Sequence, residues 1–147
     1  MKASSLLILI VDDEPPVIDV LRRVGKKHFP EAAFISTNSP QETLTYLEDA
    51  TQAKPDLILL DIDLHSTING LELLPQIRER TRMLTPVIMF STSDTQPNIT
   101  QAYTHGASAY TRKPYDLDGW NDYVKLLRDY WFRMSLLPGR PKTSHPD

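Results

Sequence analysis

The stretch Leu6-Leu7-Ile8-Leu9-Ile10-Val11-Asp12-Asp13 decides how the rest of the chain is read. Unbroken apolar runs of this length suit strands buried on both faces, and therefore a parallel sheet under helices. The run stops on two carboxylates. Residues 33–36, 57–60 and 87–90 are three more short apolar runs, and 109–112 is a weaker fifth.

Helical patterns separate these runs. Val17, Val20, Leu21 and Val24 recur at three and four residues after Pro15 and Pro16, which a helix tolerates only in its first turn. Ser39 is placed to cap a helix over 40–49, with Pro40 at the first helical position and Glu42 in the capping-box slot. Leu71, Leu74, Ile77 and Arg78 continue the pattern before Pro86, and a shorter helix over 98–105 ends at Gly106. Leu117, Trp120, Val124, Leu127 and Trp131 space as one strongly amphipathic helix. Strand and helix thus alternate five times, which predicts a doubly wound α/β domain. Residues 1–137 are read as that domain and 138–147, rich in proline and polar residues, as a flexible tail.

Bulk properties fit one domain. The chain has 147 residues, 40% of them hydrophobic and 24% charged, with a formal net charge of −3. That balance implies no general affinity for nucleic acid. Without cysteine there is no disulfide, thiol nucleophile or cysteine-based zinc site. The first apolar run is too short for a secretion signal, and no stretch approaches a membrane span. A cytoplasmic protein is expected.

In an open parallel sheet, ligands sit beyond the carboxyl ends of the strands. Asp12 and Asp13 end the first strand, Asp61 the third, Ser91 and Thr92 the fourth, and Lys113 the fifth. Three carboxylates on one rim repel each other, so they attract a cation or raise a pKa. Carboxylate oxygens are hard ligands suited to Mg²⁺. An aspartate can attack phosphorus to form an aspartyl phosphate, with metal offsetting charge on the transferring oxygens. Lys113 can pair with the phosphoryl oxygens, and Ser91 can donate a hydrogen bond to them. Alone, Asp12 and Asp13 would read as an acidic pair at a helix start, and Lys113 as a solvated surface lysine. Their company on one rim favours the chemical reading.

Four segments then carry a resemblance covering roughly residues 6–135. They are Ile8-Leu-Ile-Val-Asp12-Asp13-Glu14, Asp56-Leu-Ile-Leu-Leu-Asp61-Ile-Asp-Leu64, Pro86-Val-Ile-Met-Phe-Ser91-Thr92, and Gly106-Ala-Ser-Ala-Tyr110-Thr-Arg-Lys113-Pro114-Tyr115. In order and spacing the chain resembles the response-regulator receiver domains of two-component signalling, in their single-domain, chemotaxis-receiver-like form. The resemblance implies their flavodoxin-like fold, a five-stranded parallel sheet in the order 2-1-3-4-5 with five helices.

The resemblance implies that Asp61 takes the phosphoryl group from a sensor histidine kinase or phosphotransfer protein. It implies Mg²⁺ held by Asp13, Asp61 and the backbone carbonyl of Asp63, with Asp12 acting through water. Ser91 and Thr92 would touch the phosphoryl group, Ser91 as switch hydroxyl, with Lys113 as its cationic partner and Tyr110 as the switch aromatic. A cis Lys113–Pro114 bond is also implied. The expected chemistry is Mg²⁺-dependent self-phosphorylation and self-dephosphorylation, without turnover of an external substrate. Output is expected by protein contact through the face of the fourth helix, fifth strand and fifth helix, with no nucleic acid or membrane involved.

The chain departs from the pattern at two places. The family usually has proline where His65 stands, and its glycine falls one residue before Gly70, so the 65–70 loop is longer by about one residue. Asp63 adds a charge near the pocket mouth and is expected to tune phosphoryl lifetime. His28, His65, His105 and His145 show no metal-ligand spacing and are read as surface or core residues. Tyr123, Leu126 and Tyr130 widen the last helix's apolar face, suggesting a partner or self-association surface, a homodimer included.

Two other functions compete. Asp61-x-Asp63 mimics the motif of aspartate-nucleophile phosphatases, but such enzymes need a cap for which this chain has no spare length. A pseudo-receiver that binds without phosphorylation is disfavoured by the complete pocket.

Overall fold

The computed structural model describes residues 5–139. Five strands, β1 (Leu6–Val11), β2 (Ala32–Thr37), β3 (Leu57–Leu60), β4 (Val87–Ser91) and β5 (Ala109–Arg112), form one sheet in the order β2-β1-β3-β4-β5. Every neighbouring pair is parallel. Between and after them run α1 (Pro15–His28), α2 (Pro40–Glu48), α3 (Gly70–Arg80), α4 (Gln96–Thr104) and α5 (Leu117–Leu127). This is the flavodoxin-like arrangement expected from the sequence.

The central strands are apolar up to the rim residue Ser91 because both faces are covered. Leu9, Val11, Ile58, Leu60, Val87 and Met89 pack with Leu71, Leu74 and Ile77 of α3 and Ala102 of α4. Leu6, Ile8, Ile10, Leu57, Leu59, Ile88 and Phe90 pack with Leu21 and Val24 of α1 and Trp120, Val124 and Leu127 of α5. Alternate residues of one strand thus serve opposite cores. Each fully buried aliphatic side chain contributes about 1.5–3 kcal/mol.

Local differences from the sequence reading have local causes. Strands β2 and β4 each extend past the apolar run, since ladder pairing continues onto Ala32, Thr37 and Ser91. Ser39 does cap α2, its hydroxyl accepting from Glu42 N at 3.1 Å. The box does not close on it, because the Glu42 carboxylate accepts from Asn38 N at 2.8 Å. A reciprocal capping box instead opens α3, between Asn69 and Glu72. Helix α4 begins earlier than expected, with Pro97 in its first turn, and Gly106 follows it at φ +100.

The last helix is not one α-helix through Trp131. After Leu127 the chain continues as a π-helical segment, Arg128–Met134. Its wider i→i+5 bonding still brings Trp131 and Phe132 onto the α1–α5 core, with the Phe132 ring 5.9 Å from that of Phe29. Tyr123 is also drawn inward, half-buried and stacked on Phe90 at 4.8 Å, so it packs against the core and offers less of its ring to a partner than expected. Leu126 and Tyr130 stay exposed. Of the expected tail, Pro138 and Gly139 are described, and 140–147 lie outside the described residues. Among the described residues no helix is long and apolar enough to cross a membrane.

Candidate functional site

Strand order fixes which strand ends meet. Because β1 lies beside β3, Asp12 and Asp61 leave the sheet next to each other, and Asp61 N donates to Val11 O at 3.0 Å. Beyond β3 lie β4 and β5, where Lys113 N donates to Ser91 O at 2.9 Å. Asp12, Asp61, Ser91 and Lys113 are all buried.

Lys113 crosses the rim from the sheet's far side. Its Nζ lies 2.7 Å from Asp12 Oδ2, 3.3 Å from Asp61 Oδ2 and 3.3 Å from Glu14 Oε1. It does so on a trans Lys113–Pro114 bond, since no peptide among the described residues is cis. The expected cis bond is therefore absent. The Lys113 backbone is already tied to Ser91 and the long side chain supplies the reach, so the ordinary trans preference stands.

One ammonium does not neutralise this rim. Asp12, Asp13 and Asp61 each offer a carboxylate oxygen, all within 4.8 Å of one another. Burial raises the Asp61 carboxyl to about 6, against the pull of Lys113 and with a push from Asp12. Burial also raises Asp12, although Lys113 bonds to it. For Lys113, burial works toward a lower pKa, but the bond to Asp12 and the charge of Asp61 prevail and hold it above its usual value. Lys113 therefore stays charged at neutral pH, the one ammonium set among these carboxylates.

Asp13 has a different setting. Its Oδ2 meets His65 Nδ1 at 2.6 Å, while its Oδ1 is buried without a hydrogen-bond partner. The other ring nitrogen, Nε2, lies 3.4 Å from Asp63 Oδ2. The bond to Asp13 raises the His65 pKa, and the Asp13 and Asp63 charges add to that. The buried, unpartnered oxygen and the clustered hard donors fit a divalent cation. Asp12, Asp13 and Asp61 are the side chains able to hold one.

The other expected residues take distinct places. Ser91 ends β4, and its hydroxyl accepts from Ser93 N at 3.1 Å. Thr92 is exposed beside it. Tyr110 is half-buried, and its hydroxyl donates to Ser93 O at 2.7 Å, so the ring reaches the segment that carries Ser91. The Asp63 side chain is exposed and turned to His65, whereas its backbone N–H supports the Asp61 carboxylate.

Sequence reasoning missed two partners. It placed His65 among surface or core residues, yet the ring bridges two acids of the site. The signal available was a histidine inside the one lengthened loop on the acidic rim. It also gave Glu14 no role, although Glu14 is the third carboxylate on Lys113.

Residues 8–125 match the family model of the response regulator receiver domain. The chain is 35% identical over 109 residues to the DNA-binding transcriptional regulator NtrC of Klebsiella pneumoniae, covering 74% of this chain but 22% of that protein. It thus spans about a fifth of the length of that curated relative. It is 28% identical over 138 residues to the probable methanogenesis regulatory protein FilR2 of Methanothrix harundinacea, covering 90% of this chain and 88% of that one. Among solved structures, the phosphorylated cyanobacterial phytochrome response regulator RcpA superposes with a TM-score of 0.82 at 27% identity, over 91% of this chain and 99% of that one. The CheY-like receiver domain protein of Methanospirillum hungatei superposes with a TM-score of 0.69 at 26% identity, over 86% of this chain and 95% of that one. The chain belongs to the response regulator receiver family.

Proposed function

We propose that the chain is a phospho-accepting signalling module whose nucleophile is Asp61. The observation that carries this reading is the buried Asp61 carboxylate, 3.3 Å from Lys113 Nζ and clustered with Asp12 and Asp13. An Asp61 oxygen attacks the phosphorus of a phosphohistidine on a sensor kinase or phosphotransfer protein. The P–N bond breaks, the departing imidazole keeps the electron pair, and it takes up a proton. Lys113 then pairs with the phosphoryl oxygens it already faces, at a position where burial strengthens the attraction. Ser91 and Thr92 stand on the adjoining strand end to contact the same group, and Tyr110 follows the Ser91 segment. Water later attacks phosphorus, the acyl phosphate P–O bond breaks, and phosphate leaves with Asp61 restored.

Asp13, Asp61, the Asp63 carbonyl and, through water, Asp12 would hold Mg²⁺. When bound, the ion supplies charge neutralisation at the transferring oxygens. The phosphorylated state described for RcpA is consistent with this chemistry in a relative of the same length class.

Output passes by protein contact at α4, β5 and α5, in the cytoplasm, where ATP-fed phosphohistidine donors are made. FilR2 is matched over 88% of its length and the solved RcpA chain over 99%, which supports a receiver domain of this size as the unit that makes the contact. Tyr103, Leu126 and Tyr130 are exposed on or beside that face and offer anchors for a downstream protein or a second copy. No external substrate is turned over. The carboxylate that a small-ester phosphatase would need, that of Asp63, points to His65 instead.

Intact-mass measurement tests the reading. After incubation with acetyl phosphate and Mg²⁺, wild type is expected to gain one phosphoryl group and Asp61→Asn none. An unmodified wild type under conditions that phosphorylate a known receiver would overturn it.

A further inference from the structure

The environment of Asp13 differs from that of the other two acids. Asp12 and Asp61 are held by Lys113, whereas Asp13 is held by an imidazole that the resemblance does not predict. Asp13 Oδ2 is occupied by His65 Nδ1 at 2.6 Å, and Oδ1 is buried with no partner. The arrangement divides the carboxylate into one tied oxygen and one spare oxygen on the acidic rim. An aspartate side chain has two rotatable bonds, so an untied Asp13 would sample other directions.

The loop is built to place the ring. His65 adopts φ 50, an uncommon conformation for a residue with a side chain. The loop is closed behind it by Gly70 N donating to Ile62 O at 2.7 Å. Asp63 Oδ2 lies 3.4 Å from the other ring nitrogen and gives it a second acidic neighbour. The His65 side chain is 64% exposed, so packing does not explain its position.

We propose that His65 is a positioning residue for Mg²⁺: it orients Asp13 so that the buried, unpartnered Oδ1 is presented to the ion. The inference rests on the magnesium reading and assigns the ion's binding strength to a residue outside its coordination sphere. Groups that hydrogen-bond to a metal ligand fix its orientation, and losing one typically weakens metal binding about 10- to 100-fold. The rival account makes the imidazole a competitor that Mg²⁺ must displace from Asp13. It forecasts tighter binding once the ring is gone.

Calorimetric titration of the full chain with Mg²⁺ alone, at one fixed and mildly alkaline pH, separates these accounts. His65→Ala is expected to bind Mg²⁺ about 10- to 100-fold more weakly than wild type. His65→Asn, whose side-chain N–H₂ can stand in for Nδ1, is expected to recover most of the loss. Metal-free thermal midpoints of all three proteins are expected to agree. The proposal is overturned if His65→Ala binds as tightly as wild type or more tightly, if asparagine rescues nothing, or if the metal-free midpoint drops along with affinity. A wild type that binds no Mg²⁺ would sink the magnesium reading itself, a result distinguishable from all of these.

Discussion

Gly70 stands directly against the backbone of Asp61: a Cβ at residue 70 would fall inside contact distance of the Asp61 carbonyl oxygen. The first residue of α3 is thus packed against the proposed nucleophile's own peptide, and its N–H is bonded to Ile62 O. Gly70→Ala must push apart backbone atoms, because no flexible side chain there can yield. The expected cost is about 1–3 kcal/mol of stability, as for overpacked sites. Urea unfolding of the variant checks it, and an unchanged midpoint would refute the close approach.

Asp61 gives a pH signature. Its carboxyl titrates at about 6 in the fold against an ordinary value of 3.8, so the folded state binds this proton more tightly than the unfolded state. The stability linked to that proton is therefore full below about pH 4 and is lost as pH rises through 6. Asp61→Asn removes the loss. In EDTA, the variant is expected to be more stable than wild type at neutral pH by on the order of 1–2 kcal/mol, after discounting for solvent screening. The advantage should shrink toward zero as pH falls to about 4. Paired urea titrations at several pH values check the slope, and a variant weaker than wild type at neutral pH would contradict the sign.

Asp63 stands two residues after Asp61, with an exposed side chain whose carboxylate lies 3.4 Å from His65 Nε2. On the phospho-accepting reading proposed above, its charge would oppose a phosphoryl group arriving at Asp61. Asp63→Asn is expected to lengthen the phosphoryl lifetime by about two- to fivefold, the effect of an exposed charge interaction below about 1 kcal/mol. Loss of phosphoprotein over time, followed by mass, checks this, and an unchanged decay rate removes Asp63 from the tuning role.

Much of this architecture could be read from the sequence because each strand carries its own signal. Leu6 to Val11 had to be buried on both faces, and the residue that follows such a run had to land on the rim. Asp12 and Asp61 were legible for that reason, whereas Lys113 follows a weaker run whose strand is only partly buried and was legible through the Gly106–Tyr115 segment of the receiver resemblance. His65 was not. Its role depends on a loop conformation at φ 50, and no periodicity encodes the path of a non-regular segment. The π-helical turn was also hidden, since Trp131 fits the α spacing equally well and only the bonding after Leu127 distinguishes the two. Tyr123 misled because an apolar stripe widened beyond one sheet reads like a docking face. Phe90 provides the partner that sequence spacing cannot show.

That distinction between core and surface on one helix can be measured. Tyr123 stacks on Phe90, and burial raises its phenol well above the ordinary value, so truncation removes both apolar burial and a ring contact. Tyr123→Ala is expected to destabilise the fold by about 2–3 kcal/mol, less than truncation of a fully buried aromatic because the side chain is half-buried. Tyr130 is exposed by 54% and Leu126 by 65%, so Tyr130→Ala and Leu126→Ser should stay within about 0.5–1 kcal/mol of wild type. If the α5 face is where a second copy docks, these two surface variants should lower the apparent mass in scattering with the monomer fold intact. Equal thermal midpoints for Tyr123→Ala and Tyr130→Ala would show that the stacking on Phe90 carries no stability.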